Sequence, residues 1–389
     1  MVQIATRSTT ESDVRSLLRR HRAFLERAPT QSFLQSWGVF AASEPVRLPQ
    51  PDGSALTSVE RLAPHHIHPD LMVAEFERWP MEEEDRVGIA KHPTLAFPGI
   101  GDLMPFSQPF FKIPWLEAML GCPITMTEGH IWVKPYEGDL DAFMARGVDL
   151  EGNPWLDRYL SFLEILQARL GDRYPVTTNT LLRGPSDLVA HMLGVKEACV
   201  AWIDEPDRMA QLLRVCTDLV LGVIAARWGV VAPIDGGHMS GYGIWAPGEV
   251  VRTQADHSSL LSPQMYEAQI LPCDREVIRA RPHCIFHIHN NGLHVAPALT
   301  RIPELDVIEV VVDPYPTGKR KDYEVAMLQE IQAHKPLLLD LNLPNLAEAE
   351  WLLAQLSERG LCFNARFPPE TFRAERAKIP ESPMWTLTR

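Results

Sequence analysis

Apolar residues in the last third of this chain come in short, almost unbroken runs: CIFHIH from Cys284, VIEVVVD from Val307, PLLLDLNL from Pro336 and LCFNA from Leu361. Between them lie stretches of helical periodicity, His294–Thr300, Tyr323–Ala333 and Leu346–Glu358. Runs this short and this apolar are read as strands covered on both faces, and strands joined by helices build a parallel sheet. Upstream the same alternation is legible. Helices are expected at Trp155–Leu170, at Pro206–Trp228 with Met209, Leu212, Leu213 and Cys216 on one face, and at Pro263–Ala280 with Ser262 as N-cap. Further strands are expected at Leu95-Ala96-Phe97, Tyr174–Thr180, Val230–Asp235 and Val250–Gln254.

Eight candidate strands suit a closed (β/α)8 TIM barrel, with a doubly wound open sheet as the alternative. The open sheet is disfavoured because no glycine-rich dinucleotide fingerprint follows a strand; GGHMSGYG from Gly236 has the glycines but no helix after it. The expected organisation is residues 1–93 as an N-terminal arm and 94–389 as the barrel. An arginine-rich amphipathic helix follows Ser8-Thr9-Thr10-Glu11 and runs to about Ala28, and Pro29 to Pro69 reads as irregular chain. Residues 105–137 read as an excursion after the first strand, with a β-hairpin around Glu128-Gly129.

Charge narrows the partners. Lys and Arg number 37 against 50 Asp and Glu, a formal net charge of -13 that makes nucleic acid and anionic membrane poor partners. There is no signal-peptide pattern, and no run of about 18 uncharged apolar residues long enough to span a bilayer. Six cysteines without a CxxC pair suit reduced thiols, so a cytoplasmic location is expected.

The polar residues of the apolar strands gather at their C-terminal ends, where barrels place chemistry: His287 and His289, Asp313, Asp340 and Asn342, Asn364 and Arg366. Side chains two apart on a strand share a face, so His287 and His289 point the same way while Phe286 and Ile288 face the helices. Such a pair either converges on a metal of the zinc class or hydrogen-bonds polar neighbours. Asp256 could be a ligand, a general base or an anchor for a hydroxyl, or it could orient a histidine. His257 beside it would face the other way by strand alternation, and His238 lies on the loop after Asp235-Gly236-Gly237. Arg366 could hold a substrate carboxylate or pair with Asp340 or Asp313. The His65-His66-Ile67-His68 cluster lies in the irregular arm and reads as solvated surface. No serine nucleophile elbow, P-loop or HExxH helix is present.

Several segments, in order, resemble the uroporphyrinogen decarboxylase superfamily, which includes corrinoid-linked methyltransferases. They are Leu182-Arg183-Gly184-Pro185 through Gly194, Glu205-Pro206 with Leu212-Leu213, Asp256, Leu261-Ser262-Pro263 with Tyr266 and Leu271-Pro272, His287 through Gly292, and Asn364 through Thr371. The N-terminal stretches Phe97 through Gly101, Leu120-Gly121-Cys122 and Trp132-Val133 are similar to an uncharacterised bacterial branch. The resemblance spans about residues 94–375 and implies the same barrel.

Two departures matter. The arginine-rich N-terminal motif of the heme-pathway decarboxylases is absent. Of the family's zinc ligands, His287 matches the histidine, but His289 stands at the first cysteine and Ala365 at the second. A metal would then be held by His287 and His289 with Asp256, His257 or His238, a harder donor set than thiolates.

The resemblance implies methyl transfer, with zinc at the mouth and a corrinoid carried by a partner protein. The alternative from another class is a metal-independent decarboxylase or lyase for a small carboxylate, with Asp256, His257 and Arg366 as catalytic residues; a barrel without catalysis, a subunit or a small-molecule binder, is the third. Asn291, Asp340, Asn342, His238 and Phe110 are expected to contact substrate. Phe106, Phe110, Phe111 and Trp115 would form an apolar lid over the pocket or a homodimer contact.

Overall fold

The computed structural model describes residues 11–40, 45–78, 94–96, 99–110, 112–177, 183–313 and 315–379. At its centre are seven hydrogen-bonded strands: β1 (Phe33–Val39), β2 (Ile100–Gly101), β3 (Val250–Gln254), β4 (His283–His289), β5 (Val307–Val312), β6 (Leu337–Asn342) and β7 (Leu361–Phe367), ordered β3-β4-β5-β6-β7-β1-β2. Every neighbouring pair is parallel except β1 with the two-residue β2. Helices flank the sheet, among them α1 (Glu11–Leu25), α2 (Pro154–Leu170), α3 (Pro185–Leu193) and α4 (Pro206–Arg227). The last helix is long and apolar enough by composition to cross a membrane, yet 56% of its most apolar window is buried, as in a core helix.

The mixed α/β architecture is as the sequence implies, with three differences. Among the described residues the sheet keeps two edges, at β3 and β2, instead of joining eight strands. Val230–Asp235 is not a strand. Pro233 and the positive φ of Asp235 and Gly236 turn the chain there, leaving only an Ile234–Gly237 bridge. Within Tyr174–Thr180, Val176 makes one parallel bridge to Ser107, and residues 178–182 lie outside the described residues. Leu95-Ala96 pairs with Phe106-Ser107 in a separate antiparallel ribbon, and Phe97 lies outside the described residues.

The third difference is the arm. The stretch read as irregular contains β1, which lies beside β7 in full register from Phe33↔Leu361 to Val39↔Phe367. A boundary at residue 94 therefore cuts the central sheet. Burial on both faces explains why β1 belongs there: Leu34 is buried on one, Trp37 and Val39 on the other. The hairpin at Glu128-Gly129 forms as expected, with both turn residues at positive φ, the type I′ geometry that matches strand twist. All six cysteines are unpaired.

Strand alternation sorts the sheet into two faces. On one, Val251, Phe286, Ile288, Val310, Leu339, Phe363 and Phe367 join the main apolar core beneath the helices. On the other, Leu34, Val250, Ile285, Val307, Leu338 and Cys362 form an apolar layer at the N-terminal ends of the strands, closed by Phe24 and Leu25 of α1. Two and four residues further along the same face come polar groups: Arg252, Gln254, His287, His289, Glu309, Asp340, Asn342, Asn364 and Arg366. The sheet thus carries one dry face and one that turns from apolar to polar toward its C-terminal edge.

His21 fastens α1 under this layer. Its Nδ1 accepts from the Trp245 backbone N–H at 2.9 Å and its Nε2 faces the Asp102 carbonyl at 2.7 Å, so the partners select the neutral Nε2–H tautomer. Burial, aided by the Arg20 charge and opposed by the Asp102 carbonyl, lowers its pKa to about 4. The unfolded chain binds the extra proton first as pH falls. The contribution is complete above about pH 6.5 and lost toward pH 4, roughly 3 kcal/mol in total. We expect His21→Gln to flatten the fall in unfolding free energy between pH 6.5 and 4, measured by urea titration. An unchanged slope would rule His21 out as its source.

Candidate metal centre

β3 ends at Gln254, and Ala255 bends the chain into a 3-10 turn, Asp256–Leu260, that swings the Asp256 carboxylate across the end of β4. There it meets His287 and His289, which share a face as alternation requires, their rings perpendicular with centroids 4.8 Å apart. Asp256 Oδ1 lies 3.2 Å from His287 Nε2 and 3.9 Å from His289 Nε2. This oxygen is buried and has no hydrogen bond of good geometry, so one oxygen and two imidazole nitrogens converge on the same space. One donor atom from each residue falls within 4.8 Å of the other two.

The far side of His287 is held by Glu309 of β5. Its carboxylate, completely buried, hydrogen-bonds His287 Nδ1 and accepts from the Tyr242 hydroxyl at 2.8 Å. Tyr242 OH in turn accepts from Arg252 Nε at 2.8 Å, and Arg252 donates to Gln254 Oε1. Gln254 Nε2 donates to Asp256 Oδ2 at 2.6 Å and to Asp187 Oδ2 at 2.8 Å. A carboxylate behind a ligating histidine fixes its tautomer and ring orientation, the usual support of an imidazole that binds metal.

Electrostatics follow from these contacts. Burial alone would lower the pKa of His287, but the charge of Glu309 and the contacts with Asp256 and Glu309 outweigh it and raise the pKa to about 9. Burial would raise Asp256, yet contact with His287 and the charges of His287, His289 and Arg252 hold it at about 2. His289 is lowered, chiefly by burial and then by the charge of His287.

α3 supplies a second wall. Its N-terminus approaches β3 so closely that a Cβ at Gly184 would overlap the Gln254 carbonyl oxygen, which explains the glycine in Arg183-Gly184-Pro185. Asp187, one turn before His191 on the same helix face, accepts from the His257 backbone N–H at 2.8 Å. Burial and the neighbouring charge of Asp256 raise its pKa against its hydrogen bonds.

Several expected site residues fall elsewhere. His257 keeps only its backbone at the site; its imidazole is buried, with Nε2 unpartnered, and burial lowers its pKa to about 4. His238 sits at the opposite end of the sheet: its Nδ1 is 3.2 Å from the carbonyl of Gly248, just before β3 begins, and its ring meets Trp228. From there β4 runs six residues to His289, about 20 Å at strand rise.

Arg366 is spent on an ion pair with Asp340, which also accepts from Asn364 Nδ2 at 3.3 Å, so it is not an open carboxylate clamp. Asp340, Asn342 and Arg366 share the polar face with the triad, two or three strands away. Asn342 Oδ1 is buried without a partner, Asn291 is exposed on the turn after β4, and Asp313 is exposed beyond β5.

The aromatic lid is not formed as expected. Phe106, Phe110 and Trp115 are 3%, 1% and 1% exposed and sit within apolar clusters, leaving neither a lid wall nor a dimer contact; Phe111 lies outside the described residues. Ala365 is buried on the helix face of β7, so the position resembling the family's second cysteine does not face the triad.

Glu309, Arg252, Tyr242, Asp187, Arg183, Glu117 and His191 were not among the expected site residues, although Arg183, Asp187 and His191 lie in the Leu182–Gly194 segment of the resemblance. Only Glu309 carried a local signal, as a charge inside an otherwise apolar strand. No protein-family model and no curated protein matches this chain.

Proposed function

We propose that the chain is a metal-dependent enzyme of the uroporphyrinogen decarboxylase superfamily type, with a (β/α)8-like barrel, that transfers a methyl group at a centre built from Asp256, His287 and His289. The observation that carries the metal is the convergence of Asp256 Oδ1 with two imidazoles, with Glu309 behind His287. Two histidines and one carboxylate suit a first-row divalent ion, zinc foremost, and three protein ligands are the complement of catalytic zinc sites. When bound, such an ion acts as a Lewis acid that lowers the pKa of a thiol, hydroxyl or water in its open position.

The protein's part is positional. Asp256, anchored through Oδ2 by Gln254, presents Oδ1; Glu309 accepts from His287 Nδ1 and so leaves Nε2 as the donor. Methyl transfer, and a corrinoid partner as donor, rest on the resemblance alone. The unpaired cysteines accord with a reducing cytoplasm as the working compartment.

A second reading is supported by one observation: His287, between two carboxylates and with its pKa raised to about 9, is an imidazolium at neutral pH able to give a proton to a carbanion, as a decarboxylase or lyase needs. Elemental analysis of protein purified without chelator separates the two. We expect about one zinc per chain, regained after stripping and reconstitution. Failure to take up zinc, cobalt, manganese or iron at micromolar concentrations would discard the metal and leave the proton-donor reading.

A further inference from the structure

Beside the triad, on the other side of Arg183, the hairpin Ile124–Thr127/His130–Val133 and α3 enclose a cleft of about 460 Å³. This size is within the range of small-molecule sites. One wall is apolar: Ile131, Trp132, Val133, Pro114 and Pro135. Trp132 is 61% exposed, which leaves most of its indole uncovered by the protein. The other wall is polar, with Arg183, Lys112 and His191 around Glu117.

Glu117 is buried and already engaged, accepting from Arg183 Nε at 3.3 Å and bonded to His191 Nδ1 at 2.7 Å. Burial pushes its pKa up, but His191 and Arg183 more than reverse this, so it is an anion that holds both neighbours in place. Arg183 Nη1 stands 3.7 Å from Asp256 Oδ2, beyond hydrogen-bond reach, and Nη2 meets no acceptor among the described residues. The guanidinium is thus held through Nε, while its Nη1–Nη2 end has only the long ion pair with Asp256 and makes no hydrogen bond among the described residues, leaving it the fork that matches a carboxylate.

We infer that this cleft binds the substrate as a small carboxylic acid with a flat apolar body, its carboxylate on the Nη1–Nη2 end of Arg183 and its ring against Trp132. The inference rests on the triad being the reaction centre, since Arg183 spans from the cleft to Asp256, but binding in the cleft does not require the metal. The excursion therefore contributes the hairpin, not its phenylalanines, to substrate capture.

The test is calorimetric titration of the full-length protein, metal-loaded and EDTA-stripped, with 2-naphthoate and with its neutral isostere 2-naphthamide. Naphthoate is expected to bind both forms, about tenfold or more tighter than the amide. Arg183→Gln should erase the preference for the acid, and Trp132→Ala should weaken acid and amide alike. Because Trp132 is exposed, its variant will fold even where Arg183→Gln does not, and Lys112→Gln gives a second probe of the charged wall. Equal affinity for acid and amide, no binding at millimolar naphthoate, or binding indifferent to Trp132→Ala would each overturn the cleft assignment. Naphthoate bound by a protein that takes up no metal would leave the cleft standing and remove the metal centre.

Discussion

Replacing His287 and His289 together with alanine is expected to abolish zinc binding while leaving the fold intact. Of the three donors that converge, only Asp256 would remain, and a single carboxylate holds zinc no better than any surface aspartate. We expect affinity to fall by at least about a thousandfold, or about 4 kcal/mol, read by competition with a chromophoric chelator. The fold should survive because the helix face of the sheet and the apolar layer at its N-terminal end, which supply the burial, lie away from these two side chains. Circular dichroism and the unfolding midpoint report on that directly. Zinc retained at one equivalent in the double variant would refute the site.

A smaller but more discriminating effect is expected at Glu309, which touches neither solvent nor the space between the ligands. Glu309→Gln keeps the volume and an acceptor oxygen but removes the charge behind His287 and exchanges an acceptor for an amide donor. Outer partners of ligating histidines are worth about 10- to 100-fold in metal affinity, and that is the expected loss. Because Tyr242 donates to the same carboxylate, Tyr242→Phe should produce part of the same loss, and the double variant should be less than additive. An unchanged zinc affinity in Glu309→Gln would mean that His287 is not a ligand. It would favour a proton-donor role, which the loss of the Glu309 charge should shift to lower pH in any activity profile.

Some of the molecule was legible in the sequence because it depends on neighbours along the chain. The period of two puts His287 and His289 on one face and Phe286 and Ile288 on the other, and the structure has them so. Ser262 caps the helix that Pro263 opens, accepting from the Met265 N–H at 3.1 Å. The four apolar runs of the last third all become parallel strands.

What could not be read is how distant elements meet. That Asp256 and not His257 or His238 joins the histidines depends on the bend at Ala255 and on which end of the sheet each loop leaves. That β1 lies in the sheet depends on β7, over three hundred residues later, offering it an open edge. Arg366 had two acids within range of expectation, Asp340 and Asp313, and only the register Asn342↔Arg366 beside Asp340 chose its partner. Arg183, Glu117 and His191 come from two segments whose contact is set by the packing of α3. Alternation and capping are settled by steric and hydrogen-bonding rules acting over a few residues, so the sequence determined the faces and the elements. Selecting among acids, histidines and cations far apart in the chain is the work of many weak packing contacts summed over the whole core, and only the tertiary structure decided which of them converge.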